Sequence, residues 1–279
     1  MHPRTDQLID MALEEDAGLG DVTSRSIFPE GHSCRAQIRA CHDLVACGVG
    51  VAGAVFLRVG PALRIRAAAR DGDLVRGGGL VLSVSGSTQA VLTAERTALN
   101  FMQRLSGIAT LSRRFAAAVA GTGVRVVDTR KTTPGYRALE KHAVRCGGCS
   151  NHRSSLGEHV LIKDNHIAAA GSVAAAVRRA RAGAPHLARI EVEAKTPGEV
   201  REALRARADA ILLDNMTPAG VASAVAVVAG RALIEVSGGV TLGNVADYAQ
   251  PGVDVISVGA LTHSAPAADL SLTVLGRGR

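Results

Sequence analysis

The stretch AILLDNMTPAG, from Ala210 to Gly220, contains an apolar strand, a polar strand end and a helix start. Its apolar run is typical of a strand that is covered on both faces. Asp214 closes the run, and Thr217-Pro218 supplies a helix N-cap followed by a proline suited to the first helical turn. A buried strand that leads directly into a helix is the repeating unit of a parallel sheet.

The same unit recurs through the second half of the chain. Ala-rich helical stretches separate the apolar runs, and further N-cap signals stand at Ser172 and at Thr196-Pro197, where Glu199 follows. Such repetition predicts a parallel sheet, and so many units favour a closed α/β barrel. The runs are VRVVDTR, HVLIKDN, RIEVEA, AILLDN, ALIEVSGG and VISVGA.

The first part of the chain predicts a separate mixed α/β domain. TDQLIDMALEED has helical spacing, and the short alternating runs CRAQIRA, DLVACGV and LVLSVSG are separated by Gly and Asp turns. A long helical pattern then runs from Val91 to Ala120, which Gly107 could divide. We expect a first domain over residues 1–113 and a barrel domain over 114–279, whose C-terminal tail could pack back on the first domain.

Composition and charge restrict the classes of function. The net charge is +7, yet there is no Trp and only two Tyr, so the chain lacks the aromatic platforms of a nucleic-acid-binding protein. The excess charge is better suited to a small polyanionic ligand. No apolar stretch approaches the ~20 residues of a membrane span, and the polar N-terminus does not resemble a signal peptide. These features predict no membrane partner and a cytoplasmic enzyme.

The five cysteines form an odd number in a chain without export features, which predicts reduced thiols. Cys146 and Cys149 form CGGC, which lacks a second pair at zinc spacing. We therefore interpret CGGC as a structural turn, with neither zinc nor a required disulfide. Cys34, Cys41 and Cys47 are interpreted as small core or strand residues.

Each predicted strand ends in polar residues or glycines, and a barrel gathers such ends on its catalytic face. One side of this face is expected to be cationic, because arginine forks hold carboxylates and phosphates in two-point contacts. The members of this cationic set are Arg130, Lys131, His152, Arg153 and Lys163.

The remaining strand ends predict two other kinds of contact. Glu193 and Asp214 can accept from sugar hydroxyls or hold Mg²⁺ through water or phosphate. The SGG and VGALTHS segments carry glycines that let backbone N–H groups approach a phosphate. Together these features predict a ligand with a phosphate at one end, hydroxyls in the middle and further negative charge at the other end.

Taken together, the motifs of this chain resemble the quinolinate phosphoribosyltransferase family. The resemblance rests on DTRKTTPGYRALEKHAVRCGG, NHR, LIKDNHI, EVEA, ILLDN, EVSGG and DVISVGALTHSAP, and on LEEDAGLGDVTS and TAERTALNFMQRLSGIAT in the first half. It implies an N-terminal α/β sandwich domain followed by an incomplete (open) α/β barrel of parallel strands. It also implies Mg²⁺, a homodimer or a higher homo-oligomer, and the substrates quinolinate and phosphoribosyl pyrophosphate, which yield nicotinate mononucleotide, pyrophosphate and CO₂.

The resemblance also implies roles for individual residues, among which Lys131, Lys163, Glu193 and Asp214 are the catalytic set. Glu193 and Asp214 take the ribose hydroxyls and an indirectly bound metal, and Lys131 and Lys163 lie toward the pyrophosphate. Arg96 is expected to complete the acceptor site of a neighbouring subunit. The residues implied to bind the two quinolinate carboxylates are Arg96, Arg130, His152, Arg153 and Lys163. Those implied to line the 5′-phosphate pocket are Ser237, Gly238, Gly239, Gly259 and His263.

The chain departs from the family pattern at Cys149 and Ser155, which replace glycines, and at Glu158, which replaces aspartate. With these changes, the sequence alone does not decide the conformation of this loop or which acid is the acceptor. One alternative is a paralogue that uses another acid or only binds a ligand. Another is a barrel lyase in which Lys163 forms a Schiff base. In a purely structural interpretation, Lys163 pairs with Asp164 or Glu193.

Overall fold

The computed structural model describes residues 3–277. As far as the end of the long helix, the elements are α1 (Pro3–Ala17), α2 (Val22–Ile27), β1 (Ser33–Ala40), β2 (Leu44–Val45), α3 (Val49–Val59), β3 (Arg64–Ala67), β4 (Leu74–Val75), β5 (Leu80–Ser87) and α4 (Thr88–Ala118). The later elements are β6 (Arg125–Val127), α5 (Arg137–Cys146), β7 (Val160–Ile162), α6 (Asp164–Ala170), α7 (Val173–Gly183), β8 (Ile190–Ala194), α8 (Pro197–Arg205), β9 (Ala210–Asp214), α9 (Pro218–Val228), β10 (Leu233–Ser237), α10 (Val245–Tyr248), β11 (Val255–Ser257), α11 (Ala260–His263) and β12 (Leu270–Arg277).

The chain divides into two compact units. Unit 1 comprises Met1–Arg113, Thr133–Gly148 and Ser264–Arg279, and unit 2 comprises Arg114–Thr132 and Cys149–His263. Residues 133–148, which carry α5, thus belong to unit 1, although the sequence pattern assigns them to the barrel domain. Local contacts explain this placement, because Arg104 on α4 and the fully buried Glu140 on α5 form an ion pair at 2.7 Å.

Unit 1 contains an antiparallel four-stranded sheet in the order β12-β1-β5-β3 and a separate antiparallel pair, β2 and β4. The alternation in CRAQIRA is real, since Cys34, Ala36, Ile38 and Ala40 are buried and the residues between them are more exposed. The tail strand β12 joins this sheet through β1.

The long helix α4 is continuous across Gly107, so the expected division is wrong. A Cβ atom at position 107 would lie 2.0 Å from the carbonyl oxygen of Pro266. Gly107 therefore permits the close approach of the C-terminal segment and does not break the helix. Among residues 3–277, no helix is both long and apolar enough to cross a membrane.

Unit 2 contains a parallel six-stranded sheet in the order β6-β11-β10-β9-β8-β7. Every strand that the apolar runs predict is present. The predicted helix starts are also confirmed: Ser172 accepts from the N–H of Ala175, Thr217 accepts from that of Gly220, and Thr196 exchanges capping hydrogen bonds with Glu199.

The sheet of unit 2 is an open barrel, and the closed barrel favoured by the repeat count is wrong. In the described part of the chain, β6 and β7 are the two edge strands and do not pair with each other. Among residues 3–277, the pairing beyond β6 is a single parallel bridge between Val127 and Ser150. Eight strands suffice to close a barrel around packed side chains, and this sheet has six. The incomplete barrel implied by the family resemblance is confirmed.

The close approach at Gly107 can be tested through stability. We expect Gly107→Ala to lower the free energy of unfolding by about 3 kcal/mol, because the added methyl group must displace backbone atoms. The matched control is Gly50→Ala on α3, where a Cβ atom meets open space. Alanine favours a helix over glycine, so the control should not lose stability. Urea unfolding measures both, and equal midpoints would contradict the proposed crowding.

Candidate active site

The parallel register places the polar strand ends of unit 2 side by side. Asp214 is opposite Ser237, and Ser237 is opposite Ser257, so neighbouring strands end at the same level. Because all six strands are parallel, their carboxyl ends share one edge of the sheet. The structure therefore brings together, at or just after these ends, Lys131, Lys163, Glu193, Asp214, Ser237 and Gly259.

Lys163 and Glu193 form an ion pair, with Nζ 3.0 Å from Oε1. The other carboxylate oxygen of Glu193 accepts from the backbone N–H of Asp164 at 3.0 Å. Glu193 is buried, whereas the Lys163 side chain is 50% exposed. The ion pair that a structural interpretation expects is thus present, and it leaves half of the lysine accessible to a ligand.

Lys195 connects two of these strand ends. Its Nζ lies 3.0 Å from Asp164 Oδ2 and 3.8 Å from Asp214 Oδ2. The hydrogen bond to Asp164 raises the pKa of Lys195, and the same contact lowers the pKa of Asp164. The sequence interpretation missed Lys195, although its position directly after the strand that carries Glu193 was the available signal.

Gly238 is a glycine because Asn215 occupies the adjacent space. Asn215 has a left-handed backbone, with φ of 55°, and its N–H donates to the carbonyl oxygen of Ser237 at 2.8 Å. Its side-chain amide donates to Asp214 Oδ1 at 3.0 Å, and a Cβ atom at Gly238 would lie 2.4 Å from Asn215 Oδ1. By contrast, a Cβ atom at Gly239 meets nothing within 4 Å. Only Gly239 therefore borders open space, as the predicted phosphate contact requires.

Lys131, Gly259 and His263 lie together where the adjacent strands β6 and β11 end. A Cβ atom at Gly259 would be 3.1 Å from both Lys131 Cδ and His263 Nε2. The hydroxyl of Thr262 donates to the carbonyl oxygen of Lys131 at 2.7 Å, which fixes the two segments to each other. Lys131, which is expected toward the pyrophosphate, thus lies beside two residues that are expected at the 5′-phosphate.

His152 lies against two glutamates that the sequence interpretation did not include. Its Nε2 lies 3.3 Å from Glu191 Oε2 and 3.5 Å from Glu235 Oε2. Its backbone N–H donates to Oδ1 of the buried Asp128 at 2.8 Å. Glu191 shares a face of its strand with Glu193 because side chains alternate along a strand. A glutamate inside an otherwise apolar strand was the available signal, since such residues are rarely buried unless paired.

The two carboxylates determine the charge of His152. Burial lowers its pKa, but the hydrogen bonds to Glu191 and Glu235 outweigh burial and raise the pKa to about 10. The N–H of Arg153 points at Nδ1 at 2.7 Å and opposes a proton there. We expect the imidazolium to prevail, because a charged carboxylate acceptor outweighs one neutral donor. Burial, together with the charge of Glu235, also raises the pKa of Glu191.

Arg130 and Arg153 form a pair of like charges in unit 2. Both are partly buried, and burial followed by the positive charge of Arg130 lowers the pKa of Arg153. Two guanidinium groups that repel each other favour an anion between or beside them. Within the loop, Arg153 donates to the carbonyl oxygen of His159 at 2.9 Å, and Glu158 accepts from the N–H of Ser154 at 2.8 Å. The departure at Glu158 thus closes the loop onto itself.

Arg96 is the one predicted site residue that belongs to unit 1, where it is exposed on α4. All the others belong to unit 2.

An open α/β barrel whose strand ends carry cations, carboxylates and left-handed glycines defines an enzyme that acts on anionic small molecules. Comparison with known families is more specific. The C-terminal domain of quinolinate phosphoribosyl transferase matches residues 108–273, and the N-terminal domain matches residues 21–106. The chain belongs to the quinolinate phosphoribosyl transferase family, as its motifs indicate.

Individual relatives agree along nearly the whole chain. A probable nicotinate-nucleotide pyrophosphorylase [carboxylating] of Bacillus subtilis is 40% identical over 98% of this chain and 94% of its own length. The corresponding protein of Methanocaldococcus jannaschii is 40% identical over 96% of both chains. The crystal structure of NadC from Streptococcus pyogenes superimposes with a TM-score of 0.92, at 38% identity over 98% of each chain.

The charge of His152 can be measured directly. We expect ¹⁵N NMR of labelled histidine to show His152 as an imidazolium from pH 5 to 8, with Glu191→Gln/Glu235→Gln lowering its pKa. The pKa in the folded protein lies above the ordinary 6.5, so the charged ring stabilises the fold fully below pH 6.5. That stabilisation is lost as the pH rises through about 10. A midpoint near 6.5 in the unsubstituted protein would contradict the assignment.

Proposed function

We propose that the strand ends of unit 2 carry the family reaction. In this reaction quinolinate and phosphoribosyl pyrophosphate give nicotinate mononucleotide, pyrophosphate and CO₂, a step of NAD biosynthesis. The observation that carries the proposal is the parallel edge, which brings the predicted cations and carboxylates together in a chain that matches the family over almost its full length.

Quinolinate is a dianion, and the cationic side chains of the site suit its two carboxylates. The partly buried Arg130 and Arg153 offer planar forks for two-point contacts. His152 adds a charge that Glu191 and Glu235 hold in place. Lys163, paired with Glu193 yet half exposed, completes the set within unit 2. This arrangement lowers the electrostatic cost of bringing the dianion to a second anion.

The donor is assigned to the ends of β10, β11 and β6, which are neighbours in the sheet. Gly239 borders open space and has a left-handed backbone, with φ of 66°, so its surroundings suit the 5′-phosphate. The group of Lys131, Gly259 and His263 places a lysine and a histidine side chain beside a glycine. Asp214 lies on β9, next to β10, and Glu193 lies on β8, one strand further, and both can accept from the ribose hydroxyls.

Mg²⁺ fits this edge as a partner of the pyrophosphate. Carboxylate oxygens are the donors that Mg²⁺ prefers. Both oxygens of Glu193 are already engaged by Lys163 and Asp164, and those of Asp214 by Asn215 and Lys195. Glu193 and Asp214 would therefore hold the ion through water or phosphate, and the bound ion would supply positive charge for the leaving pyrophosphate.

In this mechanism the protein positions charges and forms no covalent intermediate. The ring nitrogen of quinolinate attacks the sugar carbon as pyrophosphate leaves, and the resulting pyridinium stabilises the electron pair left when CO₂ departs. Arg130, Arg153 and His152 hold the acceptor for this attack, and Lys131 and Lys163 face the developing negative charge. The assay compares quinolinate with nicotinate and follows CO₂ and pyrophosphate. Release of neither with quinolinate would refute the function.

We also propose that the enzyme is cytoplasmic and homodimeric. Free cysteines support the compartment, because thiols persist where disulfides are reduced. Plant relatives carry chloroplastic or mitochondrial names, so relatives occupy more than one compartment. The exposed position of Arg96 supports a site that two subunits share.

The role of Arg130 can be tested with its charge preserved. Arg130→Lys keeps the positive charge but loses the two-point contact. We expect kcat/KM for quinolinate to fall on the order of 100-fold, the range for losing hydrogen bonds to a charged group. The melting temperature should change little. Arg179→Lys, on an exposed position of α7, is the matched control and should retain activity. Unchanged kinetics in Arg130→Lys would refute the assignment.

Subunit mixing tests the shared site. Arg96→Ala and Lys163→Ala should each be nearly inactive as homodimers. After subunit exchange, half of the dimers are mixed, and each has one site with both defects and one intact site. Activity should therefore return to about a quarter of the unsubstituted level.

The control for this experiment mixes Lys163→Ala with Asp214→Ala, which both alter unit 2 and should not restore activity. If exchange is verified by mass and Arg96→Ala restores nothing, Arg96 does not complete a neighbouring site.

A further inference from the structure

A second cluster of chemically reactive side chains lies in unit 1. Cys47 follows β2, Asp71 lies between β3 and β4, and His142 and Cys146 are on α5. One ligand atom from each of the four residues lies within 4.8 Å of all the others. None of them is part of the candidate active site.

The distances suit a tetrahedral metal ion. Bonds of about 2.3 Å to sulfur and about 2.0–2.1 Å to nitrogen or oxygen place neighbouring ligands about 3.3–3.8 Å apart. Cys146 Sγ is 3.4 Å from His142 Nε2, and Cys47 Sγ is 3.9 Å from Asp71 Oδ2. His142 Nε2 and Asp71 Oδ2 are closer, at 2.8 Å, because they share a hydrogen bond. An ion that replaces this proton needs them to separate by only about half an ångström.

The surrounding structure fixes the four ligands. Cys47 is buried, and its N–H and carbonyl oxygen both bond to the hydroxyl of Ser106 at 3.0 and 3.1 Å. Asp71 Oδ1 accepts from the N–H of Val49 at 3.0 Å, which leaves Oδ2 for the cluster. His142 and Cys146 are one helical turn apart, so both project from the same face of α5.

An ion can reach this cluster from solvent. The side chains of His142 and Asp71 are 42% and 26% exposed, whereas Cys47 is buried. The cluster therefore has a closed inner side and an open outer side. Its ligands come from three segments that are distant in sequence, so a bound ion would tie these segments together.

We propose that Cys47, Asp71, His142 and Cys146 form a structural zinc site in unit 1. Two thiolates, an imidazole and a carboxylate make a closed four-ligand set for a borderline-soft divalent ion. Binding joins the ion to both sulfurs as each thiol releases a proton to solvent, and no electron is transferred. The ion ties α5 to the segments before α3 and between β3 and β4.

This site differs from the metal pair that CGGC suggests. Cys149 belongs to unit 2 and is absent from the cluster, so the two cysteines of CGGC do not act together. Cys146 instead pairs with residues that are distant in sequence. The turn expected of CGGC is present at Gly147 and Gly148, but a zinc ligand at Cys146 departs from the expectation that CGGC holds no zinc.

The test uses the full-length protein, purified under reducing conditions, dialysed against Zn²⁺ and then freed of loose metal. We expect one zinc per chain by elemental analysis. Replacement with Co²⁺ should give the intense visible bands of tetrahedral cobalt and the charge-transfer bands of thiolate ligands. A chelator should lower the melting temperature.

Variants identify the ligands. Cys146→Ser and Asp71→Asn should each weaken Zn²⁺ binding at least about 100-fold, and the partly exposed Asp71 makes the second variant safe for folding. Cys149→Ser and Cys41→Ser are the matched controls and should bind as before. Three results would overturn the proposal. They are a loss of zinc in Cys149→Ser alone, a cobalt complex that is not tetrahedral, and the absence of stoichiometric metal. A Cys47–Cys146 disulfide that survives purification under reducing conditions would also overturn the proposal.

Discussion

The parallel register of six strands is the constraint on which the candidate site depends. Strands that run in one direction end at one edge of the sheet. The backbone pairing alone therefore makes neighbours of residues that are far apart in sequence. Asp214 and Ser237 face each other because their strands are in register. A shift by one residue in either strand would turn these side chains to the opposite face. The positions of the site residues therefore depend on the backbone hydrogen bonds between these strands.

Several charged side chains are buried near this edge of the sheet, and the structure places them in ion pairs. An isolated buried carboxylate is costly, but Glu193 is matched by Lys163 and by a backbone N–H. Glu191 and Glu235 are matched by His152. In the first of these pairs, a half-exposed lysine covers a buried carboxylate. Removal of a buried partner is consequently expected to harm folding, whereas replacement of an exposed cation mainly harms binding.

Local patterns in the sequence were sufficient to predict the strands, the helix starts at Thr196 and Thr217, and most of the strand-end residues. These features depend on neighbours within a few residues of each other. The open barrel, the reason for Gly107 and the partners of His152 depend on residues distant in sequence, and no local pattern contains them. Gly107 resembled a helix break because the approach of Pro266 is visible only after folding. Glu191 and Glu235 were visible as charges in apolar strands, but their common partner was not.

The cluster around Cys146 shows the same limit in its strongest form. Each of its ligands has an ordinary interpretation when taken alone: a core cysteine, a turn aspartate, a helix histidine and one half of CGGC. Cys149, the cysteine nearest to Cys146 in sequence, is absent from the cluster, whereas His142 shares the face of α5 that carries Cys146. Long-range packing within unit 1 brings Cys47 and Asp71 to that face. A sequence motif defined by spacing cannot include ligands that only the fold brings together, so metal sites of this kind must be found from geometry.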